Sequence, residues 1–378
     1  MVSVEEEPIN AQIKKLWKDK GGTCVSLIIP LYHLSADQKE DKAHIENAVN
    51  EASEKLLISF PDDALFLAEK LKGTREEIRF SRKDMGLGIY VSQNTAITSY
   101  FPFPVEETIA VHQSFKLKEL LLKEQYALPY TILYLDERKA RLFSGVLKTV
   151  EEIDNQNFPV TNVDDYAYSF PSRSSSYAGS AHVKSFENDK SAVKKKRAES
   201  FLAEIDELLD HSKQTIGPMI VCGPRRITSA FVNRSKHANA IIGIVNGNYE
   251  DYTAANFSEL TWPAIEKYLA EKMIDEVNEF LEKTGEGLTE YGLDNIWDAS
   301  IEGRVAKLLV EKDFKSKGYL ELNNPYILYL EEPSQEYKIL DNVVEDLIDL
   351  VLEKEGKISF LENKMLSKYQ HVTAITRY

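Results

Sequence analysis

The chain holds 378 residues, 43% of them apolar, with two cysteines and a formal charge of −15. A chain of that length outgrows one hydrophobic core, so two or three domains are expected. Its acid excess excludes a protein that coats nucleic acid indiscriminately, because phosphate binding needs a local positive field. The opening MVSVEEEPIN is acidic where a secretory leader would be basic, and no apolar run approaches the roughly 20 residues of a membrane span; a soluble cytoplasmic protein without a membrane partner is expected.

In chain order, a short leader helix carries Leu16 and Trp17, and CVSLIIPLY, Cys24 to Tyr32, reads as a buried strand behind Gly21 and Gly22. Ile45, Val49, Ala52 and Leu56 recur at helical spacing, so Asp41 to Leu57 is expected to be a helix with one covered face. GLGIYVS from Gly86, TSYFPFP from Thr98 and TIAVHQSF from Thr108 are further strand candidates, and a first α/β domain closes near Tyr126. Next comes YTILYLDERKARLFSGVL, Tyr130 to Leu147, in which two alternating apolar runs flank the polar turn Asp136 to Lys139 of a hairpin. After a serine-rich stretch, Asn188 or Asp189 can cap a helix whose face includes Val193, Phe201, Ile205, Leu208 and Leu209. PMIVCG (from Pro218) and AIIGIVNGN (from Ala240) read as two more buried strands of a compact domain ending near Tyr249. The last third begins with a helix over Ser258 to Lys283 and a second around Leu293 to Glu302. The strands VAKLLVE and YILYL, a helix over Asp341 to Leu352, and the closing KISFLE and VTAITRY follow. That alternation predicts an α/β/α sandwich. Cys24 and Cys222 both sit in apolar runs and are expected to be buried free thiols.

Signatures of catalysis are scarce. The sequence has no GxxxxGK[ST] loop, no GxSxG elbow, no HExxH and no Cys/His cluster among its seven histidines, so no cofactor and no metal are expected. GLG at Gly86 to Gly88 precedes a strand where a dinucleotide site needs a helix. Acidic pairs such as Asp62/Asp63 and Asp164/Asp165 are common on solvated surfaces and single out no catalytic dyad. Charge, by contrast, is unevenly spread. Pro171 to Ser200 carries seven Lys/Arg against three acids, Gly223 to Asn248 has four Lys/Arg and no acid, and Glu331 to Glu355 has nine acids and two lysines. Within SFPSRSSSYAGSAHVK, Ser169 to Lys184, the residues Arg173, Ser174, Tyr177, Gly179, His182 and Lys184 offer cations, hydroxyls and a ring suited to a phosphodiester and an unstacked base. A solvated linker has the same composition. The run Lys194, Lys195, Lys196, Arg197 sets positive charge against a helix N-terminus, a local conflict that a negatively charged partner would relieve, and Arg225 and Arg226 extend the basic set.

Three segments resemble one family in the right order. CVSLIIPLY, a helix, GLGIYVS and a PFP-containing strand are similar to the N-terminal domain of the archaeal and eukaryotic class-1 peptide-chain release factors. The hairpin YTILYLDERKARLFSG, the loop, the basic helix and MIVCGP resemble the family's middle domain. GLDNIWDASIEGRVAKLLVEKD with KYQHVTAITRY resembles its C-terminal domain, a fold similar to kink-turn-binding ribosomal proteins. The closest likeness is to the bacterial branch of this release-factor and Pelota superfamily. The resemblance implies three consecutive α/β domains, residues 1–126, 127–249 and 250–378, the middle one RNase H-like and the last an α/β/α sandwich. It also implies a tRNA-shaped protein entering the ribosomal A site. Where the family carries a Gly-Gly-Gln motif that positions water on peptidyl-tRNA, this chain has Ala178-Gly179-Ser180 and no Gly-Gly-Gln anywhere; where the stop-codon reader has Asn-Ile-Lys-Ser before its helix, the best match is His44-Ile45-Glu46-Asn47.

The expectation is a non-hydrolytic factor of stalled or idle ribosomes, acting in rescue or hibernation and bound to ribosomal RNA or the acceptor end of tRNA. A translational GTPase is the delivery partner that the resemblance suggests, and DNA is not a partner. Two alternatives stay open: a peptidyl-tRNA hydrolase or nuclease working from residues 169–184 through His182 or a hydroxyl of Ser174 to Ser176, and a non-ribosomal adaptor that uses the acidic helix Asp341 to Glu355.

Overall fold

The computed structural model describes residues 8–19, 21–33, 38–81, 84–162, 196–211, 217–324 and 326–378. They form two compact units: Met1–Ala127 with Glu271–Tyr378, and Leu128–Ala270. The first and last thirds of the sequence thus share one unit.

The first unit opens with α1 (Ile9–Lys18), β1 (Cys24–Pro30), α2 (Lys39–Ser59), α3 (Pro61–Glu76), β2 (Gly86–Val91), β3 (Ala96–Phe101), β4 (Thr108–His112) and α4 (Lys118–Tyr126). Its strands pair antiparallel in the order β3-β2-β1-β4. Strand β1 is apolar except for Ser26 because both faces of the sheet are covered: Val25, Leu27 and Ile29 meet α2 and α3, while Cys24 and Ile28 join a second core on the other side. The expected stripe Ile45, Val49, Ala52 and Leu56 is the buried face of α2. Helices α3 and α4 go beyond the sequence reading. Helix α3 starts with proline at its first position, where a missing N–H costs nothing, and buries Ala64, Leu67 and Leu71.

The second unit contains β5 (Pro129–Leu135), β6 (Lys139–Val146), β7 (Thr149–Glu152), β8 (Val160–Thr161), a helix α5 described over residues 196–210, β9 (Met219–Gly223), α6 (Arg225–Val232) and β10 (Ile241–Asn246). The sheet order is β10-β9-β5-β6-β7, with β8 added beside β6; β5, β6 and β7 are antiparallel, whereas β9 and β10 run parallel to β5. This is an RNase H-like layer. Its hairpin turn is locked by Asp136, whose carboxylate accepts the backbone N–H groups of Arg138 and Lys139 at 2.6 Å each. Leu133, Leu135 and Val221 pack against Phe201, Ile205 and Leu209 of α5 and Ile227 and Phe231 of α6. One expectation is corrected: β10 is an edge strand, largely half-buried, with Ile244 43% exposed, because the sheet ends there.

Helix α7 (Ala254–Gly285) begins in the second unit and ends in the first, so the expected boundary at residue 250 falls ahead of it. The chain then lays down β11 (Thr289–Tyr291), α8 (Leu293–Ile301), β12 (Val305–Glu311), β13 (Gly318–Glu321), β14 (Leu328–Tyr329), β15 (Tyr337–Leu340), α9 (Val343–Glu353), β16 (Lys357–Leu361) and β17 (Val372–Thr376). Strands β11-β17-β12-β16 make one sheet and β14-β13-β15 a small second one. Met273 and Phe280 of α7 cover Leu309, Leu361 and Ile375 on one face of the larger sheet; α8 and α9 cover Leu308, Val310 and Phe360 on the other, which gives the expected sandwich. The core under α8 and α9 runs on into Phe101, Phe115 and Leu120 of the first stretch. Gln125 on α4 pins the junction, its amide donating to the Phe360 carbonyl and accepting from the Phe360 N–H, both at 2.7 Å.

The C-terminal layer has an acid-sensitive clamp. Glu311, 4% exposed, accepts the Leu366 N–H at 2.7 Å and pairs with His371 Nδ1 at 2.9 Å, which holds a loop containing left-handed Lys364, Gln370 and His371. Burial pushes its carboxyl up, but hydrogen bonds from Lys364, His371 and Leu366 outweigh that, and the net shift is downward. A depressed folded pKa stabilises above the unfolded value of 4.5 and loses that contribution as pH falls through the folded one. Glu311→Gln is therefore expected to lower stability at neutral pH by about 1–2 kcal/mol and to flatten the acid limb of the unfolding curve below about pH 4.5, as read by thermal melts across pH.

Candidate functional site

Of the residues expected to meet RNA, Arg173, Ser174, Tyr177, Gly179, His182, Lys184, Lys194 and Lys195 lie outside the described residues, as does the hydrolytic alternative that rests on His182. Lys196 and Arg197 stand at the start of the described part of α5, and Arg225 and Arg226 open α6.

The α6 position is set by the end of β9. Gly223 takes φ +146°, and a Cβ there would lie 1.9 Å from the Leu135 carbonyl oxygen, so only glycine lets β9 finish against β5. Pro224 then fixes the entry to α6. Thr228 donates to Asn246 Oδ1 at 2.9 Å, tying the helix to the end of β10. Arg225 and Arg226 thereby project at the carboxyl ends of parallel strands, where α/β sheets commonly place their ligands.

The charge there is less free than the sequence suggested. Gly223 to Asn248 contains no acid, yet folding brings three to its cations: Arg226 pairs with Glu137 of the hairpin turn, Arg234 with Glu199 at 3.1 Å and Lys236 with Asp210 at 3.3 Å. This corrects the picture of an unopposed basic region. All three cationic side chains are more than half exposed, and such pairs are worth about 0–1 kcal/mol, so a phosphate can compete for them. Arg225 and Lys196 are exposed and have no ion pair among the described residues.

Other sequence candidates resolve into structure. His44 to Asn47 lies inside α2 rather than ahead of a helix, with His44 Nε2 2.7 Å from Glu107 and its ring stacked near Tyr32. Gly88 belongs to β2, where a Cβ would crowd Tyr90 and Phe101, which explains GLG by packing. Asp63 accepts Thr23 Oγ1 at 2.5 Å and Gln93 Nε2 at 2.6 Å and so braces the start of α3. Cys24 and Cys222 are free and buried, and burial pushes both thiols up to about 12, which leaves them protonated and unreactive. Among the described residues no three His, Cys, Asp or Glu side chains converge as metal ligands, and no helix is long and apolar enough to cross a membrane. The acidic helix α9 turns its apolar face, Val343, Val344, Leu347, Ile348 and Val351, into the core.

The profile of bacterial archaeo-eukaryotic release factor family 3 matches residues 129–304. No curated protein matches the chain. Among solved structures, an archaeal translation termination factor, aRF1, is 13% identical over 98% of this chain and 97% of its own, with a TM-score of 0.25. Pelota from Archaeoglobus fulgidus is 16% identical over 79% of this chain and 86% of its own, with a TM-score of 0.40. Dom34 of S. cerevisiae is 13% identical over 78% and 79%, with a TM-score of 0.38. The matched span starts at the first strand of the RNase H-like layer and runs through α7 and α8, and over that span this chain is similar to the bacterial archaeo-eukaryotic release factors.

Proposed function

We propose that the protein is a translation factor that occupies the A site of stalled or idle ribosomes without hydrolysing peptidyl-tRNA in response to stop codons. The observation that supports this reading is the family match over residues 129–304 in a chain whose sequence contains no Gly-Gly-Gln. On this reading residues 1–126, 127–249 and 250–378 act as three functional segments, with the middle one directed at the peptidyl-transferase centre. The stretch 169–184, the run Lys194 to Arg197, and Arg225 and Arg226 contact ribosomal RNA or the tRNA acceptor end, and a translational GTPase is the delivery partner. The exposed pair Arg226–Glu137 opens when a phosphate replaces the carboxylate.

The test has two arms. Exchanging Lys194, Lys195, Lys196, Arg197, Arg225 and Arg226 for glutamine is expected to abolish co-sedimentation with ribosomes near physiological salt. Single exchanges should each flatten the slope of log affinity against log salt by about 1. Unchanged co-sedimentation defeats the RNA contact. In the second arm, peptidyl-tRNA on ribosomes with a stop codon in the A site should remain intact; release by the wild-type protein would reinstate the hydrolase.

A further inference from the structure

The first unit contains a cleft of about 480 Å³ that the proposed function does not use. Its walls are β4, the loop from Phe103 to Glu106, the start of α4, and the end of β15 with the first turn of α9. Its volume lies within the range of small-molecule sites. What sets it apart is the state of its charges. Lys118 is 7% exposed, with its stem buried, and makes no hydrogen bond or ion pair among the described residues; Lys116, on the same wall, has no ion pair either. Facing them, Glu119 of α4 and Glu345 of α9 likewise make no hydrogen bond or ion pair with another side chain among the described residues, and they feel the lysines only at longer range. The other lysines around the cleft are already neutralised, Lys55 by Glu51, Lys312 by Glu362 and Lys315 by Glu106. Two ammonium groups and two carboxylates thus share a cavity without closing on one another.

We propose that this cleft binds a small zwitterion of the free α-amino acid class, its ammonium held by Glu119 and Glu345 and its carboxylate by Lys116 and Lys118. Other ligand classes fit the charges less well. A metal ion wants three converging ligands, which the described residues do not supply. A polyanion meets the carboxylates, and a polyamine meets the two free lysines. A zwitterion satisfies both signs at once, and with Lys118 buried and Lys116, Glu119 and Glu345 half-buried each contact is stronger than it would be in open water.

Protonation gives the site a signature. Burial first, and then the charge of Glu119, push Glu345 up to about 7. Asp349, one turn along α9, is pushed up to about 6 by burial even though Ser114 donates to it at 2.8 Å. The groups facing Glu345 are Lys116, Lys118 and Glu119 from the α4 side and Asp346 on α9, with His112 at the end of β4 held below its ordinary value by burial. A bound ammonium needs Glu345 ionised, so uptake releases a proton in the neutral range.

The test is calorimetric titration of the full chain with glycine, leucine, lysine and glutamate, each also in its N-acetyl and its amide form. At least one free amino acid should bind with Kd below about 1 mM near pH 8, and about tenfold more weakly near pH 6. Lys118→Met, which keeps the buried stem, and Glu345→Gln, which keeps the shape, should each weaken binding at least about tenfold while thermal unfolding shows an intact first unit. Blocked forms should lose the same factor. The proposal fails if no free amino acid binds at about 10 mM, if blocked forms bind as tightly as free ones, or if both variants bind like wild type.

Discussion

Gly223→Ala is expected to unfold the second unit or to cost it at least about 3 kcal/mol, lowering its melting transition by about 10 °C. Two independent terms point the same way. The φ of +146° lies where an L side chain is strained whatever the space around it. The space is also closed, since the nearest atom to the added Cβ is a backbone oxygen, Leu135 O at 1.9 Å, which has no rotamer to turn away. Relief requires β9 to part from β5 at Tyr134↔Cys222 and threatens the Asn246↔Gly223 pairing with β10, together with the 3.0 Å bond from Gly247 N–H to the Gly223 carbonyl. Because α6 springs from that point, Arg225 and Arg226 move with it, and ribosome binding should fall even in preparations that keep some fold. Gly73→Ala is the matched control. It lies inside α3 with nothing within 4 Å of the added Cβ, and the gain in helix propensity makes it neutral or stabilising by up to about 1 kcal/mol. Differential scanning calorimetry of the two variants compares the same chemical change at a closed and an open position.

That contrast shows what a sequence can and cannot display. Strand β1 was legible because its residues are apolar save Ser26, and the hairpin of β5 and β6 because Asp136 is a turn residue with a mechanism. Helix α4 was not legible, because KELLLKEQY buries consecutive leucines and even the stem of Lys118 between two layers, so no helical stripe stands out from its polar neighbours. Nor could the chain announce that its first and last thirds share a core, since the Gln125–Phe360 contact spans 235 positions. The same distance problem governs the candidate surface. Counting charge along Gly223 to Asn248 finds cations alone, whereas Glu137 reaches Arg226 from 89 residues away. The glutamates that line the cleft, Glu119 and Glu345, lie more than 200 positions apart, and nothing local to either segment marks its acid as covered. Only packing α9 on the first stretch turns their solvated charge into a half-buried one.

Arg141→Met is expected to destabilise the second unit by about 3 kcal/mol, the loss coming from polar contacts rather than volume. Arg141 emerges on β6 toward the sheet face opposite α5, and its guanidinium is fully engaged. Nε donates to Glu152 Oε1 at 2.7 Å and Nη2 to Oε2 at 2.6 Å, a bidentate fork, while Nη1 reaches the Tyr252 carbonyl at 2.8 Å. The same group lies 4.9 Å over Phe143 and 5.8 Å from the Phe257 ring. One side chain therefore ties strand β7 to the segment that enters α7. Methionine fills the apolar part of that site but leaves Glu152 without its partner and the Tyr252 carbonyl without a donor. Lysine keeps the charge and loses the fork, so Arg141→Lys should recover less than half of the deficit. Glu152→Gln made on top of Arg141→Met should recover part of it, because the stranded carboxylate is then gone; a double variant as unstable as the sum of the singles would mean that Arg141 and Glu152 act independently. Hydrogen exchange locates the effect. If the fork braces the entry to α7, the amides of Tyr252 to Phe257 lose protection in Arg141→Met ahead of those in β9, whereas simultaneous loss in both would place Arg141 in the general stability of the sheet.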